Sequence, residues 1–181
     1  AKSRTGCLLG HGKRTDPRKV PRGPAPQSPG VVATERNTDR VALVTDSGSQ
    51  ITPDLVRRTR TRVVPLTIVL DDTPYLEGID LTAERFYRRL EAGASVSTST
   101  AAPGLFLDAY RSAADDGATS VVSVHTGTNL SGTFNAARVA ADDSPVPVTL
   151  VDTEQASFPV ALCVLAAHEA RADGAGAVDV A

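Results

Sequence analysis

There is no methionine among the 181 residues. Position 1 is therefore not a start-codon product as written, and the chain reads as a fragment or as a sequence whose start is incompletely given. Cysteine occurs twice, as Cys7 and Cys163, far apart and in unlike contexts. Two such residues make neither a disulfide framework nor a zinc ligand set, and a reduced, cytoplasmic setting is the expectation. No run of 18 apolar residues is present, so no membrane-spanning helix is expected. No apolar stretch follows the basic amino terminus, which argues against a secretory signal peptide. A net charge of −2 gives no electrostatic footprint for nucleic acid or an anionic membrane. Gly-x-Ser-x-Gly occurs nowhere, which argues against a serine hydrolase built on His125. The segment GTNLSGT lacks the lysine and glycine spacing of a phosphate loop, and no dinucleotide fingerprint is found.

What is there centres on Thr119–Ala137, TSVVSVHTGTNLSGTFNAA. Ser120–Val124 alternates, is rich in valine, and predicts a buried strand. His125–Leu130 has loop composition, and Ser131 stands where a helix N-cap belongs, ahead of Phe134, Ala137 and Val139. Such a loop, at the carboxyl end of a strand and opening a helix, points free N–H groups and hydroxyls at one place and suits a carboxylate or a phosphate. The plain alternative is an ordinary strand-to-helix turn with a serine cap.

The length allows one domain with a real core. Residues 1–39 are basic and rich in proline and glycine, too poor in apolar surface to offset the entropy of ordering, and read as a disordered tail that includes His11. Arg40–Val44 predicts a strand running into the polar turn Thr45–Ser49. Thr52-Pro53-Asp54 starts a helix. Arg62–Leu70 predicts one strand, with Pro65 marking an edge or a bulge. Asp71–Pro74 turns and Tyr75–Ile79 crosses over. Thr82 caps a helix carrying Phe86, Tyr87 and Leu90. Ala94–Ala102 is a hydroxyl-dense segment, and Pro103-Gly104 opens a helix with Phe106, Tyr110 and Ala113 on one face. Pro145–Val151 predicts a strand ending at Asp152. Ser157 caps a helix carrying Val160, Leu162, Val164 and Leu165, and also Cys163 and His168, which read as core and surface residues respectively. Residues 174–181 look like the start of a further, truncated region. Strands alternating with helices predict an α/β fold with a mainly parallel sheet, whose ligands sit beyond the carboxyl ends of the strands.

Asp46 and Asp152 both end strands, where a carboxylate can hold Mg²⁺ for phosphoryl transfer or simply accept N–H bonds and fix its own turn. What remains is a neutral cradle of hydroxyls and amides, able to hold one carboxylate without burying a counter-charge. With no reactive group beside them, such donors bind rather than catalyse.

The stretches VALVTDSGSQIT, RVVPLTIVLDDTPYLEGIDLTAERFY, STSTAAPGLF, TGTNLSGTFNAA and LVDTEQAS, in this order, resemble the successive motifs of the DegV family over about Val41–Ala172. The resemblance implies the first of two α/β domains. It implies a lipid-binding protein, a non-enzymatic subunit that needs no cofactor or metal. It would hold a long-chain fatty acid and present the acyl carboxylate to the ATP-binding subunit of a fatty acid kinase for acyl-phosphate formation. Carried over residue by residue, the family's carboxylate-contacting hydroxyls fall on Ser97, Thr98 and Thr128, with Asp46, Ser47, Asn129 and Ser131 as supporting loop residues. Asp46 is expected to order the neighbouring loops. The chain departs from the family where Thr100-Ala101 replaces Gln-Pro, where Gly127 replaces a serine, and where Phe158-Pro159 stands at a helix start that is small in the family, so that Phe158 narrows any tunnel. The histidine and acyl tunnel of a second domain are absent from these residues. Two alternatives stay open: a Mg²⁺-dependent phosphoryl-transfer enzyme using Asp46 and Asp152, and a non-functional remnant.

Overall fold

The computed structural model describes residues 40–181. The expected tail, residues 1–39, lies outside the described residues, with Cys7 and His11. The elements in chain order are β1 (Val41–Asp46), α1 (Pro53–Thr59), β2 (Arg62–Val64), β3 (Thr67–Leu70), β4 (Thr73–Leu76), α2 (Ala83–Glu91), β5 (Val96–Ser99), α3 (Pro103–Asp115), β6 (Ser120–His125), α4 (Thr133–Ala141), β7 (Val148–Asp152), α5 (Phe158–Ala172) and α6 (Ala177–Val180).

β1, β2, β6 and β7 form sheet A, all parallel, in the order β2-β1-β6-β7. Successive residues of a strand face opposite sides, and both sides are covered. Ala42, Val44 and Val121 pack with Phe106, Tyr110 and Ala113 of α3 and Ala137 and Ala140 of α4. Val41, Leu43, Val122 and Val124 pack with Val160, Val164 and Ala167 of α5 and with Val180 of α6. Near-continuous apolar runs such as Val41–Val44 are what a doubly covered parallel sheet requires. The α/β class with a mainly parallel sheet is therefore the observed one.

A second sheet was not legible. β4, β3 and β5 form sheet B, antiparallel, in that order. Arg62–Leu70 is two strands rather than one. Pro65, which has no N–H to give a ladder, stands where the chain leaves sheet A for sheet B. Tyr75–Ile79 does not cross over, because Asp71 and Asp72, at φ 47° and 63°, make a two-residue turn that sends Thr73–Leu76 back along β3. Positive φ at both turn positions matches the strand twist of tight hairpins. Within the hydroxyl-dense segment Ala94–Ala102, Val96–Ser99 is a strand. Ala83–Glu91 then lays Phe86 over Ile68, Leu70 and Leu81 on one face of sheet B.

Helix starts follow the expectations in part. Thr52 and Thr82 cap α1 and α2 by accepting the N–H of Leu55 and Arg85. Ser131 is not the cap of α4; that position is Gly132, and Ser131 Oγ accepts the Thr133 N–H from one residue further back. Ser157 occupies the cap position of α5, but at φ 61°, ψ −144° its hydroxyl makes no cap bond. Four of the expected apolar helix positions also lie outward, Tyr87 and Leu90 of α2 among them. Val139 and Leu162 are exposed because the buried stripes run through Thr133, Ala137 and Ala140 and through Val160, Val164 and Ala167, about half a turn away. Phe158 too is exposed, at 43%. The last eight residues hold a short helix whose Val180 is buried against the sheet A core.

Candidate functional site

Three strand ends meet at the carboxyl edge of sheet A: Asp46 of β1, His125 of β6 and Asp152 of β7. The first two are joined inside the protein. His125 Nδ1 lies 2.7 Å from Asp46 Oδ2, and Nε2 lies 2.7 Å from Ser123 Oγ. Ser123 Oγ is in turn 3.0 Å from the Tyr110 hydroxyl, and Phe106 meets the imidazole edge-on at 5.1 Å. All of these side chains are buried. Burial pushes the Tyr110 hydroxyl up to about 12, against the opposing pull of its hydrogen bond to Ser123. His125 belongs to the strand rather than to the loop, two residues from Ser123, so both side chains share one face. That spacing, S-x-H inside a valine run, was the available signal for this chain. Its connectivity resembles a hydrolytic triad, but Ser123 is sealed beneath Tyr110 and no substrate reaches it. The network holds a turn instead. Asp46 Oδ1 accepts the Gly48 N–H at 3.0 Å, and Gly48 can bear no side chain, since a Cβ would come within 2.8 Å of that oxygen. Ser47 Oγ then accepts the Leu66 N–H and donates to Glu77 Oε2 at 2.6 Å. The turn after β1 thus ties sheet A to sheet B.

Asp152 organises the second loop. Its carboxylate accepts the Thr128 hydroxyl at 2.7 Å, the Thr128 N–H, and the Glu154 N–H at 3.1 Å. The Thr128 hydroxyl bond, followed by the Glu154 N–H, holds the Asp152 carboxyl below its ordinary value. Gly127 donates its N–H to the Gln155 carbonyl, and a Cβ there would meet the Glu154 Cα at 2.9 Å. This accounts for the missing serine: residue 127 is glycine because the segment after β7 runs against it. Ser131 bonds Thr133, and Asn129 is exposed at the loop's tip.

The Mg²⁺ reading of Asp46 and Asp152 fails on this geometry. β6 lies between their strands, which separates them by roughly two strand spacings, about 9–10 Å. Both carboxylates are already committed, Asp46 to His125 and Asp152 to Thr128. Among the described residues no three His, Cys, Asp or Glu side chains cluster as metal ligands.

β5 lies beside the Thr128 loop. A Cβ on Gly132 would come within 3.1 Å of the Thr100 methyl. Ser97 and Thr98, however, are neighbours on a strand and point to opposite faces. Register makes the division explicit. Thr98 pairs with Ile68, on the face covered by Phe86. Ser97 pairs with Val69 and Ser99 with Thr67, and Thr67 also pairs with Leu76. Directly paired residues share a face, so Thr67, Ser97 and Ser99 stand together beside Val69 and Leu76. The residues of this face are half-buried or exposed. Thr67 and Ser99 join Ser97 only through the β3–β5 register, which local spacing does not show.

These features define an α/β domain with a parallel sheet covered on both sides and a small antiparallel sheet beside it. The family described as "Uncharacterised protein, DegV family" matches residues 40–181, and the chain belongs to the DegV family. A DegV domain-containing protein of Streptomyces coelicolor is 40% identical over 141 residues, 78% of this chain and 50% of that protein. A DegV family protein from Thermus thermophilus, described by its fatty acid binding, superposes with a TM-score of 0.70 at 37% identity, covering 78% of this chain and 50% of that one. Bacillus subtilis DegV, described as a fatty acid binding protein, superposes with a TM-score of 0.74 at 25% identity, covering 79% and 51%. The chain thus spans about half the length of the relatives it matches. Among the described residues no helix is long and apolar enough to cross a membrane.

Proposed function

We propose that this chain is the first half of a cytoplasmic fatty-acid-binding site and acts as a carrier rather than an enzyme. The observation that carries the reading is the open face of sheet B. Thr67, Ser97 and Ser99 supply hydroxyls for a carboxylate, while Val69 and Leu76 beside them supply apolar floor for the first methylenes. Relatives described as fatty-acid-binding proteins support it. Of the residues named by family resemblance, Ser97 stands on this face. Thr128 joins it only by exchanging Asp152 for the ligand, since its one hydroxyl proton is already given to that carboxylate. Thr98 faces the other way. The held carboxylate is offered to an ATP-using kinase partner, which makes the acyl phosphate.

Each buried methylene contributes about 0.8 kcal/mol, and one open face covers few of them. Oleate- or palmitate-class acids therefore bind this chain weakly, and bind tightly once a second domain closes over the face. Native mass spectrometry of both forms, expressed in a bacterium, tests this. Co-purified fatty acid on the two-domain form, reduced by Ser97→Ala and not by Thr98→Ala, is the expected result. A two-domain form free of any acyl ligand overturns it.

A further inference from the structure

The opposite, amino-terminal edge of sheet A holds a cavity of about 740 Å³ that the fatty-acid reading does not use. Its wall is cationic. Arg40 precedes β1, Arg58 and Arg60 end α1, Arg62 opens β2, and Arg171 stands near the end of α5 with His168 one turn earlier. Asp116, closing α3, is the one acid among the lining residues and sits 2.5 Å from Arg62. The bland explanation is that these arginines serve helix ends. Three helices, α1, α3 and α5, bring their carboxyl ends here, each worth about half a negative charge. That accounts for about −1.5, while five arginines less one aspartate leave a formal +4. Positive charge remains in excess.

Part of the cluster is already spent. Arg171 donates to the carbonyls of Val41 and Thr59 and, at 2.9 Å, to His168 Nδ1. Burial, then Arg171 and Arg58, hold His168 below its ordinary value, so its ring is neutral and accepts that bond. Burial and Arg60 likewise lower Arg171. Arg58 and Arg60 form no ion pair among the described residues. Arg58 and Arg60, both exposed, line the cavity with the half-buried Arg171, and an anion held among the three would offset their like charge.

We propose that this cavity binds a compact phosphorylated anion carrying several negative charges. Its volume is that of a small-molecule site. Guanidinium forks match phosphate oxygens two at a time. No Phe, Tyr or Trp lines it, and its wall is dominated by guanidinium groups, so the phosphate group itself is the recognised part. A fatty acid, with one charge and a long tail, is the wrong ligand here.

Calorimetric titration of the 181-residue chain with inorganic pyrophosphate tests the site, with citrate and a second series at higher salt. One equivalent should bind, and binding should weaken at least about tenfold between about 20 and 200 mM salt as screening rises. Arg58→Gln combined with Arg60→Asn should weaken binding at least about tenfold, since each removes a charge-assisted fork. Asparagine suits residue 60, which sits at φ 52°, a left-handed position asparagine tolerates. Arg138→Gln, on α4, should change nothing. In the unaltered protein pyrophosphate should also shift the His168 ring resonances. Absence of binding, citrate binding as tightly as pyrophosphate, an equal loss in Arg138→Gln, or unmoved His168 resonances would each overturn the proposal.

Discussion

Thr45, Ser120 and Ser123 are buried in sheet A, whereas Ser97, Thr98 and Ser99 are exposed in sheet B. In sheet A, Thr45 gives its hydroxyl to the Val124 carbonyl at 2.8 Å, and Ser123 lies between Tyr110 and His125. Among the described residues no buried side-chain nitrogen or oxygen lacks a partner. In sheet B, Ser97, Thr98 and Ser99 are all exposed. The hydroxyls of Thr45 and Ser123 are bonded inside the protein, whereas Ser97, Thr98 and Ser99 present theirs to solvent. Sheet A is a scaffold with its polar groups consumed; sheet B offers a half-apolar face with its polar groups unspent.

The sharpest way to break the comparison is to damage the scaffold. Phe106→Ala should cost about 3–5 kcal/mol, because Phe106 is fully buried against the His125 ring; urea unfolding measures it. Asp46→Ala should cost about 3 kcal/mol. It removes the acceptor of a buried imidazole and releases the Gly48 turn, and with that turn the Ser47 link to sheet B. Tyr110→Phe should cost about 1 kcal/mol, since Ser123 keeps its bond to His125. Ser97→Ala should change stability by less than about 0.5 kcal/mol while lowering acyl-chain retention in a two-domain form. A Ser97→Ala effect on unfolding as large as that of Tyr110→Phe would erase the distinction between the sheets.

The smallest effect is a pH effect on the Thr128 loop. Asp152 titrates below its ordinary value in the folded chain. The order it confers is therefore complete above the unfolded carboxyl value, near about 4, and fades as pH falls through the lower folded value. The Thr128 amide resonance should hold steady from neutral pH down to that range and move below it. Asp152→Asn should show the released loop at neutral pH.

Three strands of sheet A, β1, β6 and β7, were legible because each is an apolar run followed by a polar turn and a helix; β2 was read as part of one longer strand. The Thr52 and Thr82 caps were legible for the same local reason. Sheet B was not, since TIVL, TPYL and VSTS are too short to show a period, and Pro65 reads locally as an edge or a bulge of one strand rather than the gap between two. The loop after β6 was recognisable by composition. Its hidden requirement, a glycine at 127 to clear Glu154, depends on a segment nearly thirty residues further along.

The sequence by itself determined the α/β alternation and the mainly parallel sheet, because hydrophobic period and turn chemistry act over neighbouring residues, and its ordered motifs carried the family resemblance. Only the tertiary structure decided which hydroxyls are free. A side chain's partner is set by strand register and by loops that meet across the sheet, and neither is written in local spacing. Hence Ser123 closes a buried chain, Thr128 belongs to Asp152, and Ser97 is parted from Thr98 and joined to Thr67 and Ser99.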